Sequence, residues 1–297
     1  MKKLIFLLAF LLLLTPLVAA QEEVQVGLYL LNLGKFDIST GSFTADFYLS
    51  MECENECSPE NFEFMNGRAS TIEKIIDEPN SKFYRIQANL NSQIDLKKFP
   101  FDSQQLEIIL EDKEKTNDEL VYVANMDQSG IDDSIAFSGW NLDGWNAEVS
   151  EHTYSVYDET YSQYIYSINI SRIFFNAFLK TFLPVIFTLL VILCSFLIDT
   201  DKITTRLAMA SSSLVAAVMF HVSISNQIPP VGYLTFADKF MILTYFVLLF
   251  TFTLNILILE LQEQKKNDLA ERIHRKTEYA VFFVIPIIYL LLFLIFA

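Results

Sequence analysis

The chain has 297 residues, is 52% hydrophobic and carries a formal net charge of −15 at neutral pH. That charge argues against nucleic-acid binding, because few cations are available to neutralise phosphates. With only 8 glycines and 8 prolines, a collagen-like chain or a Pro/Gly-rich disordered chain is excluded. The charge is uneven: residues 21–172 hold 28 acidic and 10 basic side chains, whereas residues 173–297 are nearly neutral. We therefore expect two regions of opposite chemistry.

The first 20 residues have the pattern of a secretory signal peptide. Lys2 and Lys3 precede an apolar run from Leu4 to Leu14, and the small residues Val18-Ala19-Ala20 follow. The run is too short to span a bilayer comfortably, which disfavours the alternative of an uncleaved transmembrane helix. We expect cleavage before Gln21 and export of the region that follows.

Residues 21–172 are expected to form an extracellular all-β domain, an antiparallel sandwich of the immunoglobulin-like class. Short segments of alternating polarity, rich in β-branched and aromatic residues, are separated by polar turns. These segments begin at Val24, Phe43, Phe83, Leu106 and Tyr164. A domain of about 150 residues is large enough to bury its own core.

Residues 173–297 are expected to form a four-helix transmembrane bundle. Apolar segments long enough to cross a bilayer lie at about 177–198, 203–225, 236–259 and 279–296. The intervening loop of residues 260–278 carries five Lys or Arg side chains, so the positive-inside rule places it in the cytoplasm. The predicted location is therefore the cell membrane, with several passes and the N-terminal domain outside the cytoplasm.

The second of these spans is unusually polar for a helix that faces lipid. It contains Arg206 and the run Ser211-Ser212-Ser213, and such groups usually face a bundle interior or water. One helical face carries Ala208, Ser212, Val215, Met219 and Val222, with Thr204 and Thr205 one turn below. A symmetric ring of such helices would enclose a pore with a hydroxyl-rich inner end and an apolar constriction. The alternative is a moderately polar helix packed inside a monomeric bundle.

Several local sequences resemble the pentameric ligand-gated ion channels, the Cys-loop receptor superfamily, and especially its prokaryotic branch. The most specific is Phe99-Pro-Phe-Asp-Ser-Gln, which resembles the family's signature loop. Ser138-Gly-Trp-Asn, Ile170-Ser-Arg, Pro184 inside the first span and Ile228-Pro-Pro-Val-Gly-Tyr-Leu-Thr also look like the family. The resemblance implies a homopentameric channel gated by a small-molecule agonist or by protons. Its other partners would be permeant monovalent ions and the lipid bilayer.

The resemblance also implies roles for individual residues. Asp102 and Arg172 would form a buried ion pair between the two domains, and Pro100 and Phe101 would press on the loop from Pro229 to Tyr233. The pore-lining residues would be Thr205, Ala208, Ser212, Val215, Met219 and Val222, with the last three forming a hydrophobic gate.

The segment of residues 152–164 corresponds to the mobile loop that caps the agonist site in the family. Tentative ligand contacts are Tyr154, Tyr157, Tyr161 and Tyr122. Their ring faces could bind a cation, although some of them could instead simply pack on the sheet. The chain departs from the family by lacking a stretch between Met51 and Phe62 that includes part of the agonist site. Ser92 and Leu106 stand where animal members have the two cysteines of the signature loop.

Two further features of the sequence bear on which ions the pore would select. Asp199 and Asp201 flank the inner mouth, and the acidic exported domain would also concentrate cations, so we expect cation selectivity. Thr204 and Thr205 occupy the place where most cation-selective members carry a Glu before the basic residue, here Arg206. The resemblance to the family also implies that His221 faces neighbouring helices rather than the pore.

Cys53 and Cys57 are close in an exported region and form a tentative disulfide, with a metal site as the rival interpretation. No cofactor, bound metal or enzymatic activity is expected, because no catalytic motif occurs in the sequence. The function predicted is that of a gated ion channel. The alternative is a non-conducting membrane sensor or assembly protein on the same scaffold.

Overall fold

The computed structural model of the chain describes residues 21–54 and 61–296. In these segments ten strands come first and four long helices follow. The predicted signal peptide, residues 1–20, lies outside the described residues and stays a prediction.

The strands include every segment that the alternating pattern predicted. Those segments fall in the first, second, fifth, sixth and tenth strands. The strands are β1 (Glu22–Leu33), β2 (Ser42–Cys53), β3 (Phe62–Phe64), β4 (Gly67–Glu78), β5 (Ser81–Asn91), β6 (Ser103–Asp112), β7 (Leu120–Ala124), β8 (Gly130–Ile131), β9 (Trp140–Tyr154) and β10 (Glu159–Arg172).

The strands form two sheets of a sandwich. One sheet has the order β4-β5-β2-β1-β7, with β8 also paired to β1, and the other has the order β3-β6-β10-β9. Most neighbours are antiparallel as predicted, but β1 pairs in parallel with both β7 and β8. The difference arises because long connections rather than tight hairpins bring β7 and β8 to β1. The predicted sandwich is therefore confirmed, with one parallel edge.

The core of the sandwich lies between the two sheets. Alternate side chains of β1, β2 and β5 meet those of β6 and β10, and Leu28, Phe47 and Ile108 are fully buried there. Tyr166 is also buried, and its hydroxyl donates a hydrogen bond of 2.6 Å to the carbonyl of Gly130. This packing gives the long β9–β10 hairpin a rigid base.

Four helices follow the sandwich, and each is long and apolar enough to cross a membrane. They are α1 (Phe174–Ser195), α2 (Ile203–Ser225), α3 (Phe236–Glu263) and α4 (Asn267–Phe296). The apolar cores of α1, α2 and α3 pack on one another, whereas α4 is the most peripheral of the four.

The connection between α3 and α4 is much shorter than the sequence suggested. Residues 267–278, expected as part of a cytoplasmic loop, belong to α4, so only residues 264–266 link the two helices. This stretch is charged but contains Ala, Glu, Arg and Lys, which favour helix. Hydropathy marks only the part of a helix that is in the membrane, and the charged first turns of α4 were therefore missed.

Candidate domain junction and pore-lining face

The signature loop, residues 95–104, is held in shape by one glutamine. The side-chain amide of Gln104 donates to the Asp102 carboxylate at 2.7 Å and to the Asp95 carbonyl at 2.9 Å. Its side-chain oxygen accepts from the backbone N–H of Asp95 at 3.1 Å. Gln104 therefore ties the two ends of the loop to each other.

The predicted ion pair lies at the joint between the domains. Arg172 ends β10, two residues before α1, and its Nε lies 2.6 Å from Oδ1 of Asp102. The Asp102 side chain is 1% exposed and that of Arg172 is 22% exposed. The guanidinium also lies over the rings of Trp140, at 4.6 Å, and Phe99, at 5.0 Å. A charge pair this well enclosed is costly to break from one side.

The signature loop is also tied to the start of α3. The backbone N–H groups of Phe236 and Ala237 donate to the carbonyls of Lys97 and Phe99, at 2.9 and 3.0 Å. The first N–H groups of a helix have no partner within the helix, so the loop supplies two of the missing acceptors. The loop and the start of α3 are therefore bonded directly to each other.

The structure shows ring contacts of Phe101 with the helices, and the predicted contact of Pro100 and Phe101 with the loop from Pro229 to Tyr233 stays a prediction. The ring of Phe101 packs against rings of α1, α3 and α4, and its centroid lies 4.6 Å from that of Phe174 and 6.1 Å from that of Phe293. Among the described hydrogen bonds, Leu96 contacts the loop before α3, since its N–H donates to the Tyr233 hydroxyl at 2.9 Å.

The six predicted pore-lining residues lie together on the exposed face of α2. Thr205, Ala208, Ser212, Val215, Met219 and Val222 are all exposed in the single chain. Val215 and Met219 are 64% and 65% exposed. The opposite face, with Ala210, Ser213 and Ala217, is buried against the other helices.

His221 turns away from that exposed face, as expected. Its Nδ1 lies 2.9 Å from the Tyr245 hydroxyl and its Nε2 lies 3.3 Å from Oδ1 of Asp238. Both partners belong to α3, and Asp238 also completes the capping box of that helix with Thr235. His221 therefore fastens the outer part of α2 to the start of α3.

The structure brings together only some of the tyrosines predicted to bind a ligand. Tyr154 and Tyr161 pack edge to face near the end of the β9–β10 hairpin, with ring centroids 5.6 Å apart. Tyr157 lies at the hairpin tip and is 72% exposed. Tyr122 does not belong to this group, because its side chain is 1% exposed inside the sandwich core.

A buried glutamate under the hairpin was not found from the sequence. The carboxylate of Glu111 accepts hydrogen bonds from Tyr154 Oη at 2.9 Å and Gln163 Nε2 at 2.7 Å, and it lies 3.0 Å from His152 Nδ1. Burial and the bond to Glu111 raise the pKa of Tyr154 to about 12. The sequence does show an acid in β6 at this position. Its burial under the hairpin can be recognised only when the register that pairs it with Gln163 of β10 is known.

The tentative disulfide stays a prediction. Cys53 ends β2, and its proposed partner Cys57 lies outside the described residues.

Comparison with known proteins agrees with this architecture. No family model matches the chain. It is 25% identical over 161 residues to a protein named proton-gated ion channel, from Gloeobacter violaceus. It is 23% identical over 161 residues to ligand-gated ion channel 50, from Caenorhabditis elegans. These two relatives, together with the β-sandwich and the four membrane-length helices, support membership of the pentameric ligand-gated ion channel superfamily. The chain is a multi-pass membrane protein whose N-terminal β domain is extracellular.

The matches are partial. Each covers 54% of this chain, but only 44% of the Gloeobacter relative and 32% of the Caenorhabditis relative. Both relatives are named as channels and neither as an enzyme, which supports the expectation that the chain is not an enzyme.

Proposed function

We propose that the chain is a homopentameric ion channel, gated by a ligand or by protons, whose pore is lined by the exposed face of α2. The observation that carries the proposal is the exposure of all six predicted pore positions on a helix whose other face is buried. The same face carries the hydroxyl groups of Thr205 and Ser212, which are poorly suited to contact with lipid. A symmetric ring of identical chains would turn this face toward a central water-filled pore.

The pore face has two parts with different chemistry. Its inner turns carry Thr205, Ala208 and Ser212, which are small or hydroxylic and can stay hydrated. Its outer turns carry Val215, Met219 and Val222, whose apolar side chains would form a ring that expels water when it is narrow. Opening would then require the α2 helices to tilt or rotate, so that this ring widens.

Coupling between the domains would pass through the signature loop. An agonist or proton that changes the interfaces of the sandwich would shift the loop, which is bonded to Arg172 before α1 and to Phe236 at the start of α3. His221 links α3 to α2, so the same movement reaches the pore helix. Gating is then a shift in population between a closed and an open arrangement.

Cation selectivity is the finer part of the proposal. Asp199 and Asp201 are both exposed in the turn between α1 and α2, at the inner end of the pore. The β domain carries the large acidic excess of the chain and would raise the local cation concentration at the outer entrance. Tyr154, Tyr157 and Tyr161 remain the proposed contacts for an agonist.

Current recording from the purified full-length protein in lipid bilayers tests the proposal. We expect currents that depend on pH or on an amine agonist, with reversal potentials that follow the cation gradient. Val215→Ser should ease opening, because it makes the apolar ring polar. Ala217→Ser is the matched control, because Ala217 lies on the buried face.

Three outcomes would count against parts of the proposal. Intact pentamers that carry no current under any condition would favour a non-conducting sensor. Reversal potentials that follow chloride would overturn cation selectivity. Equal gating effects of the Val215 and Ala217 variants would overturn the assignment of the gate.

A further inference from the structure

The β domain contains a cavity that the channel proposal does not use. It lies on the sheet that contains β1, β2 and β5, on the face turned away from the sandwich core, and has a volume of about 410 Å³. Cavities of this size hold small organic ligands in other proteins.

The cavity exists because the middle of this sheet face carries little side-chain volume. Strand pairing places Gly27 of β1 opposite Ser50 of β2, and Ser50 opposite Phe83 of β5. The hydroxyl of Ser50 donates to the Gly27 carbonyl at 3.3 Å, so it stays close to the sheet. The next side chains on the same face lie about 7 Å away along each strand. They therefore enclose an open space above Gly27 and Ser50.

Aromatic rings form one wall of the cavity. Tyr29 of β1 and Tyr48 of β2 are paired directly opposite each other. The ring of Tyr48 stacks on that of Phe83, with the centroids 5.1 Å apart. Tyr29 is 37% exposed, so this wall is open to solvent. Aromatic rings attract cations through their electron-rich faces.

Carboxylates lie on the other side of the cavity. The short helical turn Met126–Gln128 packs over Gly27, where an added Cβ would lie only 2.7 Å from Cβ of Gln128. The side-chain amide of Gln128 donates to Oε1 of Glu52 at 2.7 Å. Asp127, in the same turn, brings a second carboxylate to the lining. The close approach that Gly27 permits therefore places two acids beside the aromatic wall.

The charges around the cavity are not balanced within its lining. No Lys or Arg is among the described residues that line it. Arg85, which pairs with Tyr48 across β5 and β2, is held by Asp46 at 3.0 Å. In the part of the chain that the structure describes, no three His, Cys, Asp or Glu side chains are grouped to hold a metal ion. The lining therefore favours an organic cation over a metal ion.

We propose that this cavity binds a small organic cation that carries an ammonium group. The carboxylates of Glu52 and Asp127 would balance its charge, and the rings of Tyr29 and Tyr48 would contact its apolar groups. The tyrosines proposed to contact an agonist lie on the β9–β10 hairpin of the other sheet. Binding in this cavity is therefore independent of that hairpin and of whether the chain conducts ions.

Thermal unfolding of the purified full-length protein tests the site with choline as the probe. Choline chloride is compared with sodium chloride at equal ionic strength. A ligand that binds the folded state stabilises it in a saturable way, so we expect Tm to rise with choline and then to level off. The neutral isostere 3,3-dimethylbutan-1-ol has the same shape without the charge and should give no such rise.

Variants of two lining residues assign the effect. Glu52→Gln keeps an acceptor for Gln128 but removes the charge, and it should raise the half-saturating choline concentration by about fivefold. Glu148→Gln is the matched control, because Glu148 is an exposed acid on β9 of the other sheet. Tyr48→Leu should weaken binding by a similar factor, whereas Tyr48→Phe keeps the ring and should not.

Several results would overturn the proposal. These are the absence of a saturable choline effect, an equal effect of the neutral isostere, or equal losses in the Glu52 and Glu148 variants. A choline effect that is lost in Tyr157→Ala and kept in Glu52→Gln would assign binding to the hairpin instead. A Glu52-dependent rise with calcium chloride that exceeds the rise with choline would identify a metal site.

A further measurement needs no variant. Crystals of the unmodified protein soaked with 2-bromoethyltrimethylammonium, a bromine-bearing analogue of choline, should show an anomalous peak between Tyr48 and Glu52. A peak only elsewhere on the molecule, or none at saturating concentration, would contradict the proposed site.

Discussion

The two ends of the helix bundle each enclose an arginine, and the two arginines are compensated differently. At the outer end, Arg172 has the Asp102 carboxylate at 2.6 Å and two aromatic rings beside it. At the inner end, Arg206 is more deeply buried, and within the part of the chain that the structure describes its guanidinium lies beside an imidazole and one ring. The outer charge is balanced by a carboxylate and joins two domains. The inner charge keeps two buried N–H groups, Nε and Nη2, without a hydrogen bond among the described residues.

The largest expected effect comes from breaking the outer pair. Asp102→Asn leaves the Arg172 guanidinium without its carboxylate and should lower the free energy of unfolding by about 3 kcal/mol. Asp95→Asn in the same loop removes an exposed carboxylate paired with Lys97 and should cost less than about 1 kcal/mol. Chemical unfolding of the purified protein in detergent measures both. Equal losses would mean that the pair at the joint has no special role.

The next effect concerns the aromatic cluster at the same end. Phe101→Ala removes a ring that packs on α1, α3 and α4, and it should cost about 2 to 3 kcal/mol. Phe283→Ala on α4 is the control, because Phe283 is 66% exposed on the outside of the single chain. Thermal unfolding of both variants measures the difference. A control that is as damaging as Phe101→Ala would show that the cluster does not anchor the loop.

Replacing each arginine by methionine tests the comparison itself. Arg172→Met leaves a buried carboxylate unpaired and should lower Tm. Arg206→Met removes a buried charge with unmet donors and should leave stability unchanged or raise it by about 1 kcal/mol. Thermal unfolding of the purified full-length protein measures both variants. Similar losses would mean that Arg206 is compensated by the protein after all.

The smallest expected effect comes from Glu107, a partly buried acid on β6. Burial and the nearby Glu148 raise the pKa of Glu107 on β6 above its ordinary value of 4.5. The folded state therefore binds the proton more tightly than the unfolded chain, so stability falls as the pH rises from 4.5 through the native value. Glu107→Gln should gain about 0.5 kcal/mol at pH 7 and nothing at pH 4. Unfolding at the two pH values checks this, and a gain at pH 4 alone would reverse the assigned sign.

Much of the fold could be predicted because it depends on local periodicity. Alternation in β1, β2 and β10 marks strands with one buried side, and the apolar lengths of α1 to α4 mark the helices. The exposed face of α2 followed from helical spacing, since Val215 and Met219 lie one turn apart. The pair of Asp102 and Arg172 came from resemblance to the family, because no local pattern connects residues so far apart in the chain.

The rest depends on contacts that a sequence does not reveal. Glu111 is buried under the hairpin only because the register of β6 and β10 places it opposite Gln163. Phe101 packs among helix ends because Phe293, at the far end of α4, returns to meet it. The burial of Arg206 requires the inner turns of α4, which hydropathy did not identify as helix.

Thiol modification during current recording tests the central claim most directly, because it asks whether the exposed face of α2 lines a conducting pathway. Val215→Cys, treated with a charged thiol reagent from the extracellular side while the channel is open, should lose most of its current. Ala217→Cys, on the buried face, should keep it. A current that is insensitive at residue 215, or equally sensitive at both positions, would contradict the account.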